Sequence, residues 1–132
     1  MPRILVADDH TFMRKFVRSL IEAQHGWQVC GEASDGRQAV EQARLLEPDL
    51  IVLDVHMPVM DGFSAMREIL IGTPQMIILI LSIGESAHFG KIAADSGAKG
   101  YLPKSQAAGA LVIAITSLLK KESYFPSGPG NL

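Results

Sequence analysis

Short apolar runs recur along this chain, and longer stretches of mixed character separate them. Unbroken apolar runs such as residues 76–81 are typical of parallel strands that are buried on both faces. The stretches between them place apolar residues at helical spacing, as Met13, Val17 and Ile21 do. The pattern predicts strands near residues 3–8, 27–33, 49–54, 76–82 and 100–102, and helices near 11–25, 36–47, 63–71, 86–96 and 106–121.

This alternation of strand and helix predicts an α/β fold with one open parallel sheet of five strands and helices on both faces. Capping residues stand where helices should begin: Asp9 or His10 for the first helix, and Ser34 or Asp35 for the second. Glu47 precedes a proline, which should end the second helix. Periodicity alone leaves the order of the strands open.

Polar side chains follow four of the predicted strands at the point where each strand ends. Ligands of open α/β sheets bind outside the carboxyl ends of the strands, so these side chains should converge on one rim. Carboxylates beside a hydroxyl and an ammonium can hold a divalent cation, and can hold a phosphoryl group on one carboxylate. The residues are Asp8, Asp9, Asp54, Ser82 and Lys104.

The order of these motifs resembles the receiver domain of two-component response regulators. The resemblance rests on Asp8-Asp9, on Asp54 within the segment 53–62 (LDVHMPVMDG), on Ser82, and on Lys104-Ser105 after Tyr101. It extends from about residue 3 to about residue 124. The Asp9-His10 step, the Lys104-Ser105 pair and residues 124–127 are most similar to receivers that precede a LuxR/NarL-type helix-turn-helix.

The resemblance implies a flavodoxin-like fold with strand order 2-1-3-4-5. It also implies that Asp54 is the phosphoacceptor, a carboxylate that needs no deprotonation at neutral pH. The implied cofactor is Mg²⁺, bound directly by Asp9 and Asp54, through water by Asp8, and by the backbone carbonyl of His56. Taken alone, the Asp-Asp pair would also fit a helix cap.

In the same family, the lysine and the strand-end hydroxyl bind phosphoryl oxygens, here Lys104 and Ser82. The family pattern makes Tyr101 the switch aromatic, which turns inward when Ser82 moves toward the phosphoryl group. The alternative for Tyr101 is a half-exposed aromatic on an edge strand. We also expect a cis bond between Leu102 and Pro103 that aims Lys104 into the site.

The loop after Asp54 carries further expectations. Gly62 should allow a positive φ before the third helix, and Asp61 should cap that helix. His56 and Gly84 would flank the path of the water that hydrolyses the acyl phosphate, and Ile83 would narrow access to the site.

Composition limits the function classes. The chain has 132 residues, 48% of them hydrophobic, and 12 basic against 14 acidic residues, which fits one globular domain. A net charge of −2 makes direct binding of nucleic acid unfavourable. The single Cys30 excludes an internal disulfide and fits a reducing cytoplasm, and no apolar run is long enough for a membrane span.

The histidines indicate a metal site less clearly than the carboxylates do. The four histidines stand on separate elements without paired helical spacing, so a zinc site is not expected from the sequence. His10 and His56 are the two that could lie near the acidic rim.

The sequence therefore predicts a switch that receives its phosphoryl group from a histidine kinase or phosphotransfer protein. It would catalyse only its own phosphorylation and dephosphorylation, and so would not be an enzyme in the usual sense. One alternative is a pseudo-receiver that binds partners without phosphorylation. Another is a small aspartyl-phosphate phosphatase of the haloacid-dehalogenase kind, which lacks support because Asp8-Asp9-His10 is not an Asp-x-Asp motif.

Residues 1–125 should form the receiver, and residues 126–132 resemble a linker. The protein is then either a stand-alone regulator or the receiver of a longer transcription regulator. The final helix is apolar nearly all round, with Ile113 pointing away from the sheet. This surface is expected to form a homodimer contact, although scattered exposed apolar residues would look the same.

Overall fold

The computed structural model describes residues 1–83 and 87–126. Five strands alternate with five α-helices in this part of the chain. The strands are β1 (Arg3–Ala7), β2 (Gln28–Ala33), β3 (Leu50–Asp54), β4 (Ile77–Ser82) and β5 (Gly100–Pro103). The helices are α1 (Thr11–Glu22), α2 (Gly36–Leu46), α3 (Gly62–Gly72), α4 (Ala87–Asp95) and α5 (Ala107–Leu119), with a short 3-10 helix (Lys104–Gln106) before α5.

All neighbouring strands pair in parallel, in the order β2-β1-β3-β4-β5. The predicted flavodoxin-like topology is confirmed. The register brings the ends of the strands level with one another, because Ala7 pairs with Leu53, Asp54 with Leu81, and Ser82 with Pro103. The polar residues at or just beyond these ends therefore lie along one edge of the sheet.

A separate apolar layer covers each face of the sheet. One layer contains Ile78 and Ile80 of β4 together with residues of α2, α3 and α4, while the other contains Leu79 and Leu81 together with residues of α1 and α5. Successive side chains of a strand point to opposite faces. A strand covered on both faces is therefore apolar throughout, which explains the unbroken runs in the sequence.

The predicted helix caps form at α2 and α3. Asp35 accepts a hydrogen bond from Gln38 N, and Asp61 accepts one from Ser64 N. The N-cap of α1 is His10, whose imidazole makes no capping bond. Glu47, in the left-handed conformation, ends α2 at the predicted place.

The segment after α5 folds back onto the free edge of β5. Tyr101 N donates to Tyr124 O at 2.9 Å, and Tyr124 N donates to Lys99 O at 3.0 Å. Tyr124 and Phe125 pack against opposite apolar layers. The predicted linker lies almost wholly outside the described residues, so the domain boundary at residue 125 stays a prediction. None of the helices in the described ranges is long and apolar enough to cross a bilayer.

Candidate functional site

Three predicted side chains form an ion-paired cluster at the carboxyl edge of the sheet. Lys104 Nζ lies 2.9 Å from Asp8 Oδ2 and 3.2 Å from Asp54 Oδ1. Asp8 and Asp54 are only 2% and 1% exposed. One ammonium thus faces two buried carboxylates, and a like-charge pair of this kind is costly unless more positive charge or a proton is present.

Backbone geometry, without a cis bond, directs Lys104 into this cluster. The bond between Leu102 and Pro103 is trans, so the prediction of a cis bond is wrong. Pro103 is extended, with φ −63° and ψ 140°, and the 3-10 helix begins at the next residue. The change from strand to 3-10 turn places the lysine over the ends of β1 and β3, where its side chain is only 10% exposed.

The cluster has the donor set of a cation site. Asp8, Asp9, His10 and Asp54 each offer one ligand atom, and these atoms lie within 4.8 Å of one another. Asp9 Oδ1 and Asp54 Oδ2 are buried and accept no hydrogen bond of normal geometry from the described residues. Buried carboxylate oxygens without partners are unfavourable, and a hard divalent cation such as Mg²⁺ would satisfy them. The residues present fit the implied magnesium ion.

The environment of Asp54 disfavours its charged form. Burial raises the pKa of Asp54 to about 6, the negative charge of Asp8 adds to the increase, and Lys104 offsets it only in part. A bound cation would favour the ionised carboxylate. Cation binding and proton release at Asp54 should therefore be linked.

A second charged cluster contacts the backbone of Asp8 and was not predicted from the sequence. It consists of Glu32 and three basic residues of α1, namely Arg14, Lys15 and Arg18. Arg14 Nη1 donates to the backbone carbonyl of Asp8 at 2.9 Å, and its Nε donates to Glu32 at 2.7 Å. Partial burial alone would raise the pKa of Glu32, but hydrogen bonds from Arg18, Arg14 and Lys15 outweigh it and lower the pKa to about 2. In the sequence, the only indication of this cluster is the spacing of the basic residues along one side of α1.

The predicted switch residues are both buried. Ser82 ends β4 and is 0% exposed, and Tyr101 on β5 is 3% exposed. The Tyr101 ring packs on α4 at Gly90, where an added Cβ would lie 3.4 Å from it, an ordinary van der Waals contact. The alternative of a half-exposed edge aromatic is wrong, while the switch role stays a prediction.

Close backbone contact explains Gly62 better than a special φ angle does. Its φ is not positive, contrary to expectation. A Cβ at this position would lie 2.1 Å from the backbone oxygen of Asp54, and Gly62 N donates to Val55 O at 2.7 Å. The left-handed residue of this loop is Val59, with φ 69°. The loop is thus tied directly to the backbone of the acceptor.

His56 turns its side chain toward α4. Its imidazole is exposed and meets the Phe89 ring edge-on, with centroids 6.3 Å apart. The backbone carbonyl of His56 stays a predicted metal ligand. Gly84, the other residue expected to flank the hydrolytic water, lies outside the described residues. Ile83 is 62% exposed, and its effect on access stays a prediction.

Residues 4–116 match the model of the response regulator receiver domain. The chain belongs to this family. It is 33% identical to a LuxR-family two-component response regulator from Aurantimonas sp., with a TM-score of 0.91 over 98% of this chain and 91% of that one. It is 32% identical to the response regulator domain of CheB from Thermotoga maritima, with a TM-score of 0.76 over 92% of each chain.

Curated relatives of this receiver include larger proteins. A protein-glutamate methylesterase/protein-glutamine glutaminase of Alkalilimnicola ehrlichii is 44% identical over 103 residues, which is 77% of this chain and 26% of that protein. One from Geobacter sulfurreducens is 39% identical over 78% of this chain and 29% of its own length. The chain therefore spans about a quarter of the length of these relatives. The resemblance to LuxR/NarL-type receivers is confirmed among the structures, and the CheB receiver is also similar.

Proposed function

We propose that this receiver is a phosphorylation-dependent switch in which Asp54 accepts a phosphoryl group from a histidine kinase or phosphotransfer protein. The observation that carries the proposal is the environment of Asp54. Its buried carboxylate lies against Asp8 and Lys104, and its Oδ2 accepts no hydrogen bond of normal geometry from the described residues. An unpartnered carboxylate oxygen is available both to a cation and to a phosphorus atom.

The proposed transfer needs little covalent chemistry from the protein. A carboxylate oxygen of Asp54 forms the new bond to phosphorus, while the bond from phosphorus to the donor nitrogen breaks and the imidazole leaves with the electron pair and takes up a proton. Lys104 binds one of the phosphoryl oxygens and stabilises the negative charge. Asp8, Asp9, Asp54 and the carbonyl of His56 would hold Mg²⁺, which supplies further charge stabilisation when bound.

Phosphorylation would be read out through β4 and β5. Ser82 would bind a phosphoryl oxygen, and the movement of β4 would favour one position of Tyr101. The energetic basis is that the phosphorylated site prefers one of two arrangements and shifts the population toward it. In this proposal the chain acts only on its own Asp54, so it is a switch and not an enzyme with a separate product.

The test is phosphoryl labelling of the intact protein. The chain is incubated with a small acyl-phosphate donor and Mg²⁺, and its mass is measured with and without a chelator. We expect a single phosphoryl adduct that is lost when Mg²⁺ is removed. A pseudo-receiver would give no adduct in either case, and a phosphatase would hydrolyse the donor rapidly without accumulating the adduct.

The proposed output of this switch is control of an output domain or a partner protein. The similar proteins named above include a LuxR-family response regulator and longer methylesterases, which supports control of an output domain or partner, with regulation of transcription as one form of it. The net charge of −2 supports a role without direct binding of nucleic acid. The cytoplasm is the proposed location, in keeping with the single Cys30.

Self-association through α5 forms part of the proposal. Leu111, Ala114, Ile115 and Leu118 are buried against the sheet, as expected, whereas Ile113 is 58% exposed. Val112 and Leu119 are half-buried beside it. A second copy packing on this side of α5 would cover Ile113, and phosphorylation would strengthen the contact if the dimer bound the active arrangement better.

A further inference from the structure

His10 stands beside the acidic cluster as a nitrogen donor that a magnesium site does not need. Its Nδ1 lies 3.2 Å from Asp9 Oδ1 and 3.4 Å from Asp8 Oδ1. A cation with bonds of about 2.1 Å has opposite ligands about 4.2 Å apart. Because the four candidate ligand atoms lie within 4.8 Å of one another, small side-chain movements would bring all of them to one ion.

The backbone fixes the position of His10 and leaves its ring available. His10 N donates to Asp8 Oδ1 at 2.9 Å, and its carbonyl accepts from Arg14 N at 2.9 Å. The imidazole makes no capping bond at α1. The side chain is 59% exposed, so the ring can rotate toward an ion between the carboxylates.

An independent observation points to a ligand in this place. Asp54 is 1% exposed, and its Oδ2 accepts no hydrogen bond of normal geometry from the described residues. Lys104 Nζ contacts the other oxygen, Oδ1. A buried carboxylate oxygen without a partner is unfavourable, and a cation between these carboxylates would satisfy it.

We propose that Asp8, Asp9, Asp54 and His10 form a mixed oxygen and nitrogen site that selects Zn²⁺ or Ni²⁺ over Mg²⁺. Imidazole nitrogen suits Zn²⁺ and Ni²⁺, whereas Mg²⁺ prefers oxygen ligands and retains water. The bound imidazole is neutral, coordinates through Nδ1 and carries its proton on Nε2. This inference rests on the proposed cation site of the receiver and adds His10 to it as the residue that determines metal preference.

The consequence for the switch is competition between two classes of cation. A transition-metal ion on these four residues would occupy the same carboxylates that Mg²⁺ needs. Receivers with an apolar residue at the position of His10 would lack the nitrogen ligand. The Zn²⁺ to Mg²⁺ preference of this chain is therefore set by one exposed side chain next to the acceptor.

The experiment is a pair of calorimetric titrations, one with Zn²⁺ and one with Mg²⁺, on the wild-type chain, His10→Ala and His10→Gln. His25→Ala is the matched control, because His25 is exposed and lies beyond the opposite end of α1. We expect the ratio of Zn²⁺ to Mg²⁺ affinity to fall at least about tenfold in both His10 variants, a loss of the size seen when metal sites are disturbed. The control should keep the wild-type ratio.

A second measurement does not depend on any variant. The imidazole ¹⁵N signals of the wild-type chain are followed during Zn²⁺ addition, and Nδ1 of His10 should shift as a metal-bound nitrogen. An unchanged affinity ratio in both His10 variants, or a Zn²⁺ complex without a shift of this nitrogen, would overturn the proposal.

Phosphoryl labelling of the wild type with Mg²⁺ separates this inference from the proposed function. If Zn²⁺ binds through His10 but Asp54 is never labelled, the metal site is correct and the switch function is wrong. If Asp54 is labelled but the affinity ratio does not depend on His10, the switch function is supported and the metal inference alone is wrong.

Discussion

Lys104 Nζ lies 3.2 Å from Oδ1 of Asp54, so the proposed phosphoacceptor is in direct contact with a cationic side chain. The same ammonium contacts Asp8 at 2.9 Å. Lys104 is therefore positioned for two tasks: it partly neutralises the buried carboxylates, and it can move onto phosphoryl oxygens once they arrive.

Removing this ammonium should make folding depend on the metal. In Lys104→Gln, Asp8 and Asp54 lose their shared partner, and breaking a buried ion pair costs about 3 kcal/mol of unfolding free energy. Mg²⁺ should restore much of this loss, because it binds the folded state. Denaturant unfolding with Mg²⁺ and with a chelator measures both effects. Lys99→Gln is the control, since Lys99 is exposed. Equal stability of Lys104→Gln in both buffers would contradict this prediction.

The raised pKa of Asp54 predicts how stability changes with pH when no metal is bound. A carboxyl whose folded-state pKa is about 6 favours the folded state at low pH, and this contribution is lost as pH rises through 6. In Asp54→Asn the electrostatic cost is absent. At pH near 7.5 the variant should exceed the wild type by about 2–3 kcal/mol in unfolding free energy.

The difference between Asp54→Asn and wild type should shrink as pH falls from about 6 toward 4, where the wild-type carboxyl takes up its proton. Urea unfolding in chelator at several pH values tests the trend. A difference that stays constant with pH, or a wild type that is the more stable protein at pH 7.5, would show that the charge of Asp54 is not unfavourable.

Asp9 is the ligand whose loss should affect the cation most directly. In Asp9→Ala one carboxylate of the cluster is gone, and Mg²⁺ affinity should fall more than about tenfold, because even indirect disturbance of metal sites costs that much. Stability without metal should rise, since one repulsive charge has been removed. Calorimetry measures the affinity, with Asp95→Ala on α4 as control. Unchanged Mg²⁺ affinity in Asp9→Ala would exclude Asp9 as a ligand.

The fold could be predicted because burial on both faces leaves a clear trace in the sequence. Residues 50–53 and 76–81 are apolar throughout, and they supply most of β3 and β4, two inner strands of the sheet. The strand order came from the family resemblance. The proximity of Asp8, Asp54 and Lys104 could be predicted from the strand pattern, because the carboxyl ends of parallel strands lie at one edge of the sheet.

The errors concern features that depend on how the folded backbone packs. Gly62 was predicted to need a positive φ, but the requirement comes from the backbone of Asp54 close to its Cα. The ion pairs of Glu32 likewise depend on how α1 meets β2. Local propensity contains no information on these distances.

The proposed dimer contact can be tested on α5. Ile113→Glu places a charge on the expected interface and should shift the phosphorylated protein toward monomer, while labelling of Asp54 is retained. Ile71→Glu is the matched control, because Ile71 is 82% exposed on α3 and lies outside this surface. Sedimentation with and without phosphodonor gives the mass distribution. An identical distribution for Ile113→Glu and wild type would discard α5 as the interface.

The most direct test of the switch is phosphoryl labelling of Asp54→Asn beside the wild type. Asn has nearly the shape of Asp but cannot form the acyl phosphate, so the account predicts one Mg²⁺-dependent adduct on the wild type and none on the variant. Asp61→Asn, which keeps an N-cap side chain at α3, should label like the wild type. An adduct of undiminished yield on Asp54→Asn, mapped to Asp8 or Asp9, would contradict the assignment of Asp54 as the acceptor.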